Sequence, residues 1–255
     1  MLLSFITYRW VEQVVINKKV IVIYTIALII ISSTSLLIYK RACVIRDVAE
    51  LDISFDNLYT SRNTEYTDKI YDYNKEFTSS DKIKILVVGN SFARDMACVL
   101  LESKYADKIE LSYSFSYKEE IIDRIEESNF IFSFPPKKSI PDYVWNNITD
   151  SSKIWGIGTK NYGKSNGPIY VNRFNSNYFE QTVELDKNYA LVNKLWEDEW
   201  GDNYINFIEM SKDKDGRIRV FTPNHKFISQ DCRHLTKNGA KYYASIINFK
   251  NIFNQ

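Results

Sequence analysis

Histidine and cysteine are scarce in this chain, with two and three among its 255 residues. The histidines, His225 and His234, make no cluster, and Cys43, Cys98 and Cys232 show no CxxC spacing, so no metal site is expected. An odd cysteine count argues against a disulfide framework, although a single pair stays open. Excess charge of one sign is missing as well: 33 basic against 32 acidic residues leave a net +1. That removes the global electrostatic basis for binding nucleic acid, and no nucleic-acid partner is expected. Internal repeats and low-complexity tracts are absent. A mechanism that needs imidazole therefore has two candidates to draw on.

Against these gaps stand a long uncharged run and an aromatic content of 15%, mostly Tyr and Phe. Such richness suits a well-packed domain or a carbohydrate-facing surface, and packing is the simpler reason. The run VIVIYTIALIIISSTSLLIY, from Val20 to Tyr39, is 20 residues long. At the helical rise per residue it matches the ~30 Å of a hydrocarbon core. A cleaved signal peptide has a shorter apolar region, ~7–15 residues, with a small-residue cleavage site after it; here YKRAC follows. One transmembrane helix is expected over residues 20–39. Arg9, Lys18 and Lys19 precede it, and Lys40, Arg41 and Arg46 follow it, so the positive-inside rule leaves orientation open.

Residues 1–17 are amphipathic and aromatic-rich, either the tail of another helix or a short interfacial one. Residues 40–80 are polar without apolar periodicity and read as a linker or extension. From residue 81 the pattern alternates. KIKILVVG is a continuous apolar run of the kind buried on both faces of a sheet, and FARDMACVLLES follows with Phe92, Met96, Val99 and Leu100 on one helical face. Further strands are expected at 108–116, 129–135, 153–159 and 204–210, with helices at 118–128, 140–148, 189–201 and 236–253. The alternation predicts an α/β three-layer sandwich around a mostly parallel five-stranded sheet. Ligands of such sheets bind outside the carboxyl ends of the strands, where Ser91 falls.

Ser91 follows Gly89 and Asn90 at the strand-to-helix turn. Asn90 and Ser91 are both good helix caps, and Gly89 eases a tight turn, so Ser91 is either a cap or a nucleophile. A nucleophilic serine needs a base, and the base needs a carboxylate to fix its tautomer. SQDCRHLTKNGA, residues 229–240, supplies both: Asp231 and His234 stand three apart, just before the last helix and after the last strand.

Together, Gly89-Asn90-Ser91 after the first strand and Asp231-Cys-Arg-His234 before the last helix resemble the SGNH (GDSL-like) hydrolase family, whose sheet is flavodoxin-like. The resemblance covers about residues 81–250. It implies that Ser91 is the nucleophile, His234 the general base and later acid, and Asp231 its orienter. His225 matches nothing in the motif and is expected at the surface or rim. The family's first block usually reads Gly-Asp-Ser, where this chain has Asn90. Its second block supplies a Gly and its third an Asn to the oxyanion hole; this chain has SYSFSYKEE and FSFPPKK there. Gly89, Asn90 and the backbone N–H of Ser91 remain as contributors. Asn161, in the loop GIGTKNYGKSNG, is either a substitute donor or simply a loop residue.

Residues 3–19, with Tyr8-Arg9-Trp10-Val11-Glu12, are similar to the end of the last helix of the membrane acyltransferase-3 domain. One branch of that family continues through one more span and a linker into an SGNH domain. The resemblance thus implies a remnant of a membrane-domain helix at 1–19, the span at 20–39, the linker at 40–80 and an SGNH-like domain at 81–255. It further implies an N-terminus in the cytoplasm of a bacterium and a domain on the outer, periplasmic side. The activity implied is O-acetylation, or deacetylation, of a cell-surface polysaccharide such as lipopolysaccharide. No cofactor is expected in this chain: acetyl-CoA would be handled by a separate acyltransferase membrane domain, and the partners would be a sugar hydroxyl acceptor and the membrane. A chain with a degenerate oxyanion hole could instead be a non-catalytic glycan-binding or partner-docking module.

Overall fold

A computed structural model of the chain describes residues 8, 18–44, 65–134, 136–164, 175–229 and 231–253. These fall in two compact units, Met1–Ala42 and Cys43–Gln255. In the first, helix α1 (Lys18–Val44) contains the expected span and runs five residues past it. Its segment Lys18–Tyr39 is long and apolar enough, by length and composition, to cross a membrane, and none of it is buried within the protein. The hydroxyls inside the run do not stay unpaired: Thr25 and Thr34 donate to the carbonyls of Ile21 and Ile30, at 2.9 and 2.8 Å. The expected helix remnant, apart from Tyr8, Lys18 and Lys19, lies outside the described residues, as does linker segment 45–64.

Among the described residues of the second unit, those after Val44 begin with a short helix, α2 (Glu65–Asp68), and a 3-10 turn over Lys69–Tyr73. Residues 65–80, expected as the end of the linker, instead fold against the domain. Ile70 is buried in its core. Asp68 pairs with the Arg94 guanidinium at 2.8 Å. The buried Arg124 reaches Asn74 Oδ1 at 3.0 Å, and its Nε lies 3.5 Å from Glu76. Ser112 Oγ donates to the Lys75 carbonyl at 2.6 Å, and Glu110 accepts from the N–H groups of Thr78 and Ser79. Polar, aperiodic sequence hides this because the anchoring is mostly hydrogen bonds and ion pairs to residues far along the chain, which no local pattern reveals.

The sheet is built from β1 (Ile83–Gly89), β2 (Ile109–Ser114), β3 (Phe130–Phe134), β4 (Ile154–Ile157) and, later in the chain, β6 (Tyr204–Ile205). Its order is β2-β1-β3-β4-β6 and every neighbouring pair is parallel. Between β1 and β3 the direction of winding reverses, the place where the loops at the strand ends part to leave a crevice. The two-residue period of β1 divides its apolar run between two cores. Ile85 and Val87 pack with Met96 and Val99 of α3 (Ser91–Leu101) on one face. Leu86 and Val88 pack with Ile125 of α4 (Ile122–Glu127) and Val144 of α5 (Asp142–Asn146) on the other. The expected three-layer α/β sandwich is therefore the observed one.

The remaining α-helices among the described residues are α6 (Lys187–Trp200), α7 (Phe207–Ser211), α8 (Lys237–Ile246) and α9 (Phe249–Phe253). Two expectations are corrected here. The strand expected over 204–210 stops at Ile205, because the Asn206 side chain accepts from the Glu209 N–H and caps α7. The helix expected over 236–253 is two helices, broken at Ile247, which is extended. A two-stranded antiparallel ribbon, β5 (Thr182–Val183) with β7 (Ile218–Arg219), carried no signal in the sequence.

Candidate active site

β1 ends at Gly89 with φ +136°, and a Cβ there would lie 2.1 Å from the Phe134 carbonyl oxygen at the end of β3. Only glycine fits that turn, which brings β3 against the start of α3. Tyr113 fixes it further by donating to the Gly89 carbonyl at 2.7 Å. Asn90 is the N-cap: its Oδ1 accepts from the Phe92 N–H at 3.0 Å. Ser91 is the first helical residue, and its backbone N–H is among those a helix start leaves without an intrahelical partner, at the positive end of the dipole.

The second half of the site is the loop leading into α8. Asp231 Oδ1 accepts from the N–H groups of Arg233 and His234, at 3.2 and 2.8 Å. Cys232 adopts φ 74° in this turn, a strained conformation for a residue with a side chain. Asp231 Oδ2 lies 2.6 Å from His234 Nδ1, and His234 Nε2 lies 2.8 Å from Ser91 Oγ. The arrangement assigns the Nδ1–H tautomer, with Nε2 left to accept from Ser91. Ser229 Oγ donates to the His234 carbonyl at 2.6 Å and steadies the loop from behind. The His234 side chain is 31% exposed and that of Asp231 14%, so imidazole faces the crevice while its carboxylate is sheltered. Burial pushes the Asp231 carboxyl up, but the His234 ring and backbone outweigh it and hold it at about 2.

All three residues expected to act together are thus brought together. Such a constellation can deprotonate a serine and stabilise the resulting imidazolium. The oxyanion side is less complete. The register sets Ser114 beside Val88 and Phe134 beside Gly89, so Phe115 follows β2 and Phe134 ends β3 next to the nucleophile turn, where the resemblance implies glycine and asparagine. Asn161, expected as either a substitute donor or a loop residue, is buried; its amide donates to the Gly163 carbonyl, and its Oδ1 accepts from the N–H groups of Gly163 and Asp186, each at 3.3 Å. It holds its own loop in shape. His225 stands apart from the triad, exposed and stacked on Phe179 with centroids 4.2 Å apart.

Nothing in the sequence marks two further residues of this neighbourhood except a charge inside an apolar helical face. Asp95, one turn after Ser91, and Lys160, in the loop after β4, are both fully buried and 3.2 Å apart. The Phe92 ring stands edge-on to His234 at 6.3 Å and stacks on Phe134 at 4.8 Å, forming an aromatic wall beside the triad.

Neither a family model nor a curated protein matches the chain. Among solved structures, the chain is similar to the periplasmic domain of a lipopolysaccharide acetyltransferase from Salmonella ser. Paratyphi A. The TM-score is 0.49 at 15% identity, over 80% of this chain and 99% of that one.

Proposed function

We propose that the chain is a membrane-anchored serine acyltransferase or esterase of SGNH type, acting in O-acetylation or deacetylation of a cell-surface polysaccharide. The observation that carries this reading is the unbroken relay from Ser91 through His234 to Asp231, at the carboxyl end of a parallel sheet. In the first step Ser91 Oγ attacks the acyl carbonyl while its proton passes to His234 Nε2. Asp231 holds Nδ1–H and stabilises the imidazolium. The bond to the donor's leaving group breaks, and that group takes the proton from His234. In the second step a sugar hydroxyl gives its proton to His234 and attacks the acyl-Ser91 ester. The Ser91 Oγ–carbon bond then breaks and Oγ recovers the proton. Water in place of the sugar makes the same site an esterase. The Ser91 N–H, at the start of α3, supplies one oxyanion donor. The acyl group is delivered by a separate membrane acyltransferase domain, with α1 holding this domain at the outer face of the membrane.

A second reading is favoured by one observation, the aromatic and proline residues at the ends of β2 and β3 where hole donors were sought. Under it the domain binds glycan without turning it over. The test treats the full chain in detergent with a fluorophosphonate and weighs the intact protein. One adduct on the wild type and none on Ser91→Ala supports the enzyme. No adduct on the wild type, with saccharide binding retained by Ser91→Ala, replaces it with the binding module.

A further inference from the structure

Asp95 and Lys160 form a buried ion pair that the relay does not use. Asp95 is 0% exposed and Lys160 1%. Lys160 Nζ lies over the rings of Phe92 and Phe207, at 4.2 and 5.1 Å. Two ions in such a place are costly unless something returns the desolvation, and replacing a buried pair by apolar residues is often neutral or stabilising. The geometry gives the pair a different use. Asp95 Oδ2 accepts the backbone N–H of Leu235 at 2.9 Å, and Leu235 is the residue after His234. Asp95 itself lies four residues after Ser91, so one helix carries both the nucleophile and the acceptor that grips the histidine loop. The loop of Lys160 makes a second contact two residues on, where the Tyr162 N–H donates to the Cys232 carbonyl at 2.8 Å. Three separate segments, α3, the loop after β4 and the Asp231–His234 loop, therefore meet at one carboxylate and one peptide bond.

We infer that Asp95 and Lys160 are positioning residues that hold the Asp231–His234 loop at the height where Nε2 meets Ser91 Oγ. The inference rests on the acyl-transfer reading for its consequence, though not for its geometry. Asp95 supplies the acceptor and Lys160 holds that carboxylate in place. Burial raises the Asp95 carboxyl and lowers the Lys160 ammonium, each opposed by the other. Among the described residues neither Asp95 Oδ1 nor Lys160 Nζ has a hydrogen-bond partner, so the Leu235 N–H directs the carboxylate and Lys160 acts on Oδ2 as a charge 3.2 Å away.

Removing one partner alone leaves a buried group unpaired and can unfold the protein, so the decisive comparison uses two double variants of similar shape. Asp95→Asn with Lys160→Met is neutral and keeps an acceptor for the Leu235 N–H. Asp95→Leu with Lys160→Met is neutral and removes it. Both are made in the full chain in detergent, with melting temperature measured beside two readouts. The first is hydrogen–deuterium exchange across residues 231–236. The second is the rate of Ser91 labelling per folded molecule. Exchange should rise in the leucine variant and stay near wild type in the asparagine one, with β1 and β3 unchanged in both. Labelling should fall roughly 10²-fold in the leucine variant alone, the scale for a displacement of about 1 Å. Equal loop exchange in the two folded variants overturns the inference. So does faster exchange with undiminished labelling, because the loop would then move without consequence. A wild type that takes no label removes the acyl-transfer reading, and the exchange comparison still decides whether the pair holds the loop.

Discussion

Asn90 and Ser91 divide one turn between them. The Asn90 side chain caps α3 through the Phe92 N–H at 3.0 Å, which leaves Ser91 Oγ to meet His234 Nε2 at 2.8 Å. A serine that had to cap the helix would have its oxygen occupied by backbone. Asn90→Ala should therefore lower stability by about 1 kcal/mol, the usual value of a cap, while Ser91 still takes the fluorophosphonate. Asn90→Asp should restore the melting temperature, since its carboxylate accepts the same N–H.

Asp231 orients His234 by accepting from its ring and from its backbone. Asp231→Asn keeps the shape but presents an amide to Nδ1 and favours the wrong tautomer. The rate of acyl transfer, or of labelling, should fall by roughly 10⁴. The same carboxylate gives a pH signature. Its folded value is depressed from 3.8 to about 2, so its contribution to stability is complete above 3.8 and is lost as pH falls through about 2. The stability difference between wild type and Asp231→Asn, followed by chemical denaturation, should shrink across that window and vanish below it.

Gly89 has no room for a side chain. Gly89→Ala forces a Cβ against the Phe134 carbonyl and holds alanine at φ +136°. The backbone conformation alone costs roughly 1–3 kcal/mol, and the clash adds to it by pushing β3 away from α3. The expected outcome is a lower melting temperature together with slower labelling of the folded fraction. An unchanged denaturation midpoint would contradict the turn described here.

The segment 65–80 belongs to the folded domain. A chain beginning at residue 81 loses Asn74 and Glu76 as partners of Arg124, loses Asp68 and Tyr71 as partners of Arg94, and uncovers the β2 edge. It should express poorly or aggregate, whereas a chain beginning at residue 65 should fold. Ile70→Ala within the longer chain should cost about 2–5 kcal/mol, as for a buried aliphatic cut back to a methyl group. Urea denaturation of both lengths measures the two effects.

Much of the scaffold is legible in the sequence. The apolar runs that became β1 to β4, the helix after Ser91 and the uncharged stretch within α1 are local patterns, and periodicity reads local patterns. Where local signals compete, it fails. YINFIEM has the apolarity of a strand, yet the cap made by Asn206 turns most of it into a helix. The 65–80 segment has no period at all and is held by side-chain hydrogen bonds to residues some thirty to fifty positions away.

By itself the sequence determined the order of β1 to β4 and the helices between them, the membrane-length helix and the three residue types that a serine relay needs. Those follow from composition and spacing, which act within a few turns of chain. Tertiary structure alone decided that Asn90 rather than Ser91 is the cap, that Asn161 is spent on its own loop, and that Asp95 and Lys160 meet behind His234. Each of these depends on which groups are left without water and who stands within about 3 Å of them. For Asp95 and Lys160 no pattern along the chain encodes that, because they and the His234 loop come from separate segments that only the folded sheet brings together.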